Sequence, residues 1–298
     1  MNITQLQILV ALVETGNFTE AAASIHLTQS AASHALSKLE AELGVTLLKR
    51  ERNGVTPTEM GKEALHHARG ILEHIETLQQ KASIARGLAV GKLRFGSIPP
   101  LLSAHLLTGI ISHFQRIYPE AEIIVLEGTK QEIGEWLEEG IIDVGFVIPG
   151  TQDLDSIPIS RDELQVCVPA DHPLASQTSI KVTDLANEPF IMAKIGGEVI
   201  EPLLLERGQK RLNIRYMVSE SRTILTMVRE RLGCTIIPKM LCEDSFEGVH
   251  ALRFDPPLIF DIGLGVRSFK TASPLTKLFI EQAQTWAQTH GFAPKEVL

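Results

Sequence analysis

The stretch NFTEAAASIHLTQSAASHALSKLEAELG, residues 17–44, decides how the chain begins. Asn17-x-x-Glu20 has the spacing of a helix start, and Phe18, Ala21, Ala22 and Ile25 give that helix one apolar face. Thr28 can cap a second helix, whose apolar side runs through Ala32, Leu36, Leu39 and Leu43 and which stops at Gly44. Only a few residues around His26-Leu27-Thr28 separate the two helices. Two short helices joined so tightly form a helix-turn-helix, and the second of them can lie in a DNA major groove. On the N-terminal side, Thr4-x-x-Gln7 has capping-box spacing and opens an earlier helix with a stripe at Leu6, Leu9, Val10 and Val13, ended by Gly16.

The outward face of the helix after the turn carries Gln29, Ser30, Ser33, His34, Ser37 and Lys38, with Thr28 at its start. Small and amide side chains suit close approach to base edges and phosphates, and glutamine pairs with adenine. Immediately beyond, Leu47 to Thr58 contains Asn53-Gly54, the favoured dipeptide of a tight hairpin. A two-stranded wing tipped near Arg52, with Arg50 on its first strand, reaches backbone phosphates or a minor groove. A solvated helix face and a surface hairpin with incidental arginines are the plainer alternatives. The order of the pieces, with stripe and hairpin directly after the tight turn, favours the DNA-reading interpretation.

Charge argues the other way. The chain of 298 residues has a formal net charge of −8, whereas phosphate contacts usually leave a basic footprint. Residues 1–57 hold Lys38, Lys49, Arg50 and Arg52 against Glu14, Glu20, Glu40, Glu42 and Glu51, so the head is not basic, and most of the acidity lies beyond residue 90.

Thr58 can cap a proline-free segment over 58–88. Ala64, Ala68, Ile71, Ile75, Leu78, Ala82 and Ala85 recur at alternating spacings of four and three, a heptad seam of the kind that seeks a partner helix. Such a helix is roughly 45 Å long at about 1.5 Å per residue. Pairing it sets two recognition helices in successive major grooves, roughly 34 Å apart.

From Gly91 the pattern changes to alternating strands and helices, the mark of an α/β sheet. Strands are predicted at 92–96, 121–126, 142–148, 164–168, 190–192, 215–218 and 235–237. Helices are predicted at 102–117, 130–139, 199–207, 221–231 and 274–290. Ligands of α/β folds sit at strand C-termini opposite helix N-termini. Ser97, Pro99, Thr129, Val147, Lys194 and Ser221 are the candidates on that ground, Lys194 lying beside Gly196-Gly197. Thr129-x-x-Glu132 is also a capping box, and Ser221 can serve simply as a cap. If Lys194 faces inward, a small carboxylate effector follows.

Residues 1–61 resemble the DNA-binding head of LysR-type transcriptional regulators. The match runs through Leu6, Phe18-Thr19-x-Ala21-Ala22, Gln29-Ser30-Ala31-x-Ser33, Leu39-Glu40-x-x-Leu43-Gly44-Val45-x-Leu47, Arg50 and Val55-x-x-Thr58-Glu59-x-Gly61. Leu48 stands where that family usually has phenylalanine, and Ser30 where proline is frequent. Further on, Ser221 to Pro238, with Leu232-Gly233-x-x-Ile236-Ile237-Pro238, matches a recurring pattern of the same family. The resemblance implies an α/β protein with an N-terminal winged helix-turn-helix (1–58), a dimerising linker helix (59–90) and an effector domain (91–298). That domain would resemble type 2 periplasmic binding proteins, with lobe I at 91–161 plus 268–298 and lobe II at 162–267. It further implies double-stranded DNA as a partner, a small-molecule effector between the lobes, a homodimer assembling into tetramers, and RNA polymerase as a further partner.

Other classes fit less well. No GxSxG, HExxH, GxGxxG or Walker loop occurs, the ten histidines are scattered, and neither a metal nor a cofactor is expected. No run approaches a membrane span and no secretion signal is legible, so a cytoplasmic protein is expected. A redox-sensing regulator using Cys234 and Cys242 is the remaining alternative. Against it, Cys234 lies in the apolar run Leu232 to Ile236, which reads as the setting of a buried structural thiol.

Overall fold

The computed structural model describes residues 1–51, 54–86, 90–98, 104–194, 197, 200, 204–205, 208, 212–242 and 246–294. The chain divides into two compact bodies, one built on residues 1–87 and the other on residues 88–138 and 142–298.

The first body comprises α1 (Ile3–Thr15), α2 (Phe18–Ser24), α3 (Gln29–Leu43), strands β1 (Leu48–Glu51) and β2 (Gly54–Pro57), and α4 (Glu59–Ile84). The capping box of α1 is Asn2 with Gln5, two residues earlier than the expected Thr4-x-x-Gln7: Asn2 Oδ1 accepts the Gln5 N–H at 2.9 Å, and Gln5 Oε1 accepts the Asn2 N–H at 2.7 Å. The earlier start is possible because asparagine caps as well as threonine, and it lets Gln5 and Leu6 reach the core. Asn17 and Thr28 cap α2 and α3 as expected, and Gly16 and Gly44 end α1 and α3 in the left-handed conformation, φ 64° and 70°. Leu9, Leu12, Ala22, Leu36, Leu39 and Leu47 fill the core. Leu43 does not join them. It is 47% exposed in the last turn of α3, and the fully buried Leu47 closes the core instead.

The wing ladder closes with Gly54 paired to Glu51, while Arg52 and Asn53, and with them the expected Asn53-Gly54 turn, lie outside the described residues. Thr58 locks the wing to the next helix. Its N–H donates to Leu47 O (2.8 Å), its hydroxyl donates to Thr46 O (2.8 Å), and the same oxygen accepts the Gly61 N–H (2.9 Å). Helix and strand approach so closely here that a Cβ on Gly61 would lie 2.0 Å from Leu47 O. The first half of α4 belongs to the head, with Leu65 and Ala68 in its core.

The second body opens with β3 (Gly91–Ser97), α5 (Ala104–Ile117), β4 (Ala121–Glu127), α6 (Lys130–Glu138) and β5 (Val144–Val147). There follow β6 (Asp155–Pro169), β7 (Ser179–Ile180), β8 (Pro189–Ala193), β9 (Asn213–Val218), α7 (Ser221–Arg229), β10 (Thr235–Pro238), β11 (Val249–Val266) and α8 (Pro274–Thr289). One sheet runs β10-β6-β11-β5-β3-β4, with β7 added beside β11, and β8 pairs with β9 in a second, two-stranded sheet. Strands β4 and β5 flank β3 in parallel, and β8 and β9 are also parallel.

Two strands exceed the sequence expectation. The strand predicted at 164–168 begins at Asp155, and β11 was not foreseen as a strand at all. Asp255-Pro256-Pro257 interrupts its period, and a register shift between Arg253 and Leu258 accommodates these residues, as suits prolines without N–H donors. Near its end, Gly263–Gly265 pair antiparallel with Gly145–Val147 of β5. The helix predicted at 199–207 lies outside the described residues apart from positions 200, 204 and 205. Phe279 of α8 packs against Phe95 (5.6 Å between centroids) and Phe114 (5.1 Å), which fixes the C-terminal helix on β3 and α5.

The Gly61 contact is testable. Gly61→Ala should destabilise the head by about 1–3 kcal/mol, because backbone cannot yield as a flexible side chain does. Chemical denaturation followed by far-ultraviolet circular dichroism measures it, and an unshifted midpoint would contradict the packing at Leu47.

Candidate nucleic-acid interface and ligand site

Helix α3 presents Gln29, Ser30, His34, Ser37 and Lys38 to solvent, with Thr28 exposed at its cap and Ser33 half-buried. The Thr28 hydroxyl oxygen accepts the Ala31 N–H (3.2 Å) and lies 3.1 Å from Ser30 Oγ, so the first turn is internally braced. Arg50 on β1 lies 4.5 Å over the Phe18 ring and donates from Nη2 to Ser33 Oγ at 3.0 Å. A cation on an aromatic face is held without being neutralised. The guanidinium is thereby fixed beside the exposed edge of α3. This link between Phe18, Ser33 and Arg50 was not read from the sequence, where the three residues stood only as separate points of the pattern. Glu40 Oε1 accepts the N–H groups of Leu47 (2.7 Å) and Leu48 (3.2 Å), which ties α3 to the root of the wing. Arg52 lies outside the described residues.

The seam residues of α4 divide into two groups. Ala68 is 1% exposed within the head's own core and Ala64 packs against that core, so these two serve the head. Further along, Ile71 (40% exposed), Leu78 (69%), Ala82 and Ala85 face solvent, and Ile75 is half-buried. The heptad period continues through both groups because one face of a straight helix passes from the head core to open surface.

In the second body the candidates gather at strand ends. Ser97 ends β3 and is buried, and its carbonyl accepts the Gly128 N–H (3.0 Å) just before Thr129. Val147 ends β5, buried and paired with Gly263. Lys194 follows β8 and is exposed, and its N–H donates to Val218 O (2.9 Å) at the end of β9, three residues before Ser221. The geometry thus yields two groups: Ser97, Thr129 and Val147 on the β3–β5 side, and Lys194 with Ser221 on the β8–β9 side. Pro99 and Gly196 lie outside the described residues.

Both helix N-termini at these ends already carry a carboxylate. Glu132 Oε2 accepts the Thr129 N–H (2.7 Å) and hydroxyl (2.9 Å), and these bonds hold the Glu132 carboxyl below its ordinary range. The cap of α7 is Glu220, and Ser221 is the first helical residue rather than a cap. The Glu220 carboxylate accepts the Thr223 hydroxyl (2.6 Å) and the N–H groups of Arg222 (2.8 Å) and Thr223 (2.5 Å), which also lowers its pKa. A carboxylate at a helix N-terminus satisfies the unpaired donors and meets the positive end of the dipole.

Cys234 is buried, as its apolar run suggested, and the alternative that paired it with Cys242 does not match the geometry. The sulfurs brought together are Cys167 and Cys242, 3.8 Å apart, rather than Cys234 and Cys242. Burial pushes the Cys234 thiol up to about 12. Among the described residues no group of three or more His, Cys, Asp or Glu is arranged to hold a metal ion, and no helix is long and apolar enough to cross a membrane.

Residues 3–62 match the bacterial regulatory helix-turn-helix protein family of lysR type, and residues 86–288 match the LysR substrate binding domain. The chain belongs to the LysR family. It is 37% identical over 287 residues to the HTH-type transcriptional regulator YvbU of Bacillus subtilis (strain 168), a match spanning 95% of this chain and 98% of that protein. It is 33% identical over 286 residues to the probable HTH-type transcriptional regulator LrrA of Synechococcus elongatus, spanning 94% and 96%. Among solved structures, a full-length OxyR variant from Pseudomonas aeruginosa has the same fold, with a TM-score of 0.76 at 22% identity over 95% of this chain and 98% of that one. This LysR-type protein is therefore a DNA-binding transcription regulator with an effector-binding domain, and not an enzyme.

The carboxylate caps carry a pH consequence. A carboxyl whose pKa falls on folding adds stability that is complete above the ordinary 4.5 and is lost as the pH drops through the lowered value. Glu220→Gln removes one such group. Its thermal midpoint should therefore fall less between pH 7 and acid conditions below that range than the parent's does, and equal falls would argue against the cap.

Proposed function

We propose that paired heads of this LysR-type regulator bind an operator and that a small anionic metabolite, held between the lobes of the C-terminal domain, controls that binding. The observation that carries the DNA reading is the exposed polar edge of α3 with the Arg50 guanidinium held beside it. Thr28, Gln29, Ser30, His34, Ser37 and Lys38 read or position the duplex, and Ser33 acts mainly by orienting Arg50. With so few cations in one head, much of the phosphate contact falls to hydroxyls and backbone N–H groups, and useful affinity requires two heads.

Ile71, Ile75, Leu78, Ala82 and Ala85 form the face through which two copies associate, and two such dimers make a tetramer at a promoter, within reach of RNA polymerase. Because Leu78 is 69% exposed in the single chain, Leu78→Asp should leave folding intact. It should convert the protein to monomer and weaken operator binding by at least about 10²-fold, in keeping with lost avidity. Sedimentation and gel-shift titration measure the two effects, and a monomer that binds as tightly as the parent would refute the paired-head reading.

For the effector, Ser97, Thr129 and Val147 supply one wall and Lys194 and Ser221 the other. Since Glu132 and Glu220 already occupy the helix N-termini, selectivity for an anion rests on the Lys194 ammonium. A matched carboxylate at a hundred times its Kd should stabilise the full-length protein by about 2.7 kcal/mol. Lys194→Ala should remove most of that stabilisation in a thermal-shift screen. If the best ligands are neutral or keep their effect on the variant, the anionic assignment fails.

A further inference from the structure

We propose that Cys167 and Cys242 form a redox site that a hydroperoxide converts to an intramolecular disulfide. This goes beyond the effector reading and does not depend on it.

Cys167 lies near the end of β6, paired with Thr235 of β10 and Ala251 of β11. Strand β10 runs antiparallel to β6, and a single 3-10 turn, Lys239–Leu241, follows it and sets Cys242 back over Cys167. The two sulfurs, 75 residues apart in the chain, stand 3.8 Å from one another. A disulfide needs about 2.05 Å, so the remaining approach is under ~2 Å, within reach of side-chain rotation and a small shift of one turn. Leu225, Ile237, Leu241, Phe246 and Val249 surround the pair.

The two thiols differ in access, and that divides their roles. Cys242 is half-buried, and its Sγ donates to Pro238 O at 3.6 Å. Cys167 is 1% exposed, and its hydrogen bond to Cys242 together with burial pushes its thiol well up. Cys242 therefore meets the oxidant, while Cys167 keeps its proton and does not compete. The Cys242 thiolate attacks one peroxide oxygen. The S–O bond forms, the O–O bond breaks, and the departing hydroxide or alkoxide takes a proton; sulfur is oxidised to the sulfenic acid and the peroxide is reduced. The Cys167 sulfur then attacks the Cys242 sulfur. The S–S bond forms, the S–O bond breaks, and the hydroxyl leaves with the Cys167 proton as water. Two thiols and one hydroperoxide give one disulfide, one water and one further water or alcohol.

The turn that moves is also a brace. Met240 donates its N–H to Asp162 Oδ2 (3.3 Å) on β6, beside the Arg161–Asp261 ion pair that links β6 to β11. Drawing Cys242 onto Cys167 pulls on this contact, so oxidation reaches the two long strands of the effector domain.

The test uses the reduced full-length protein and hydrogen peroxide, followed by denaturation, alkylation and non-reducing peptide mapping. Free thiols should fall from three to one, with Cys167 joined to Cys242 in the same chain. Cys234→Ser should leave the bond forming, whereas Cys167→Ser should leave a sulfenic acid on Cys242 that dimedone traps. Mapping of the parent protein decides the matter even if a variant folds poorly. Three alkylatable thiols after peroxide, a bond to Cys234, a bond between chains, or oxidation of Cys242 without a bond would each overturn the proposal.

Discussion

Strands β6 and β11 pair along most of their lengths, and the effector domain is organised by that ladder. One end of β11 joins β5 and through it β3 and β4, while the other end, with β6, receives β7 and β10. The Arg161–Asp261 pair across the ladder has good geometry, 2.6 and 3.0 Å, yet both side chains are about a third exposed and such pairs contribute little alone. The hold comes from backbone hydrogen bonds and from the burial of Leu164, Val166, Leu252, Leu258, Ile262 and Leu264. Two continuous strands thus run through most of the main sheet of the effector domain. The thiol pair and the Met240–Asp162 contact both bear on β6, one near its end and one near its middle.

The head solves a different problem, which is to present a precise surface with few cations. Thr58 joins strand, wing root and helix through three hydrogen bonds, and Gly61 lets α4 press against Leu47. Glu40 spends a carboxylate on the wing root instead of leaving it near the α3 face. Phe18 and Ser33 hold Arg50 without cancelling its charge. Helix α4 then changes character along its length, giving Leu65 and Ala68 to the head and leaving Ile71 and Leu78 in solvent.

The carboxylate caps alter the electrostatics expected of the strand ends. A bare helix N-terminus attracts anions, but Glu132 and Glu220 satisfy those donors from within the chain. An incoming anion would have to displace a covalently tethered competitor of the same charge.

Local pattern was enough for the head. The caps Asn17 and Thr28, the stops Gly16 and Gly44 and the apolar period of α3 are short-range signals, and they specified the helix-turn-helix nearly to the residue. They misplaced the first cap, where neighbouring residues of equal propensity compete and only packing chooses. The strands β3, β4, β5, β8, β9 and β10 were legible for the same local reason. Strand β11 was not, since polar and proline residues broke its alternation, and its structure is imposed by partners up to about a hundred residues away in β6. The same holds for Arg50 on Phe18 and for Cys167 against Cys242: no spacing in a sequence encodes them, because each is a meeting of distant segments that only the folded chain brings within reach. What the sequence by itself determined was the family and the order of its parts; the tertiary structure alone decided which side chains are already engaged and which remain free to bind.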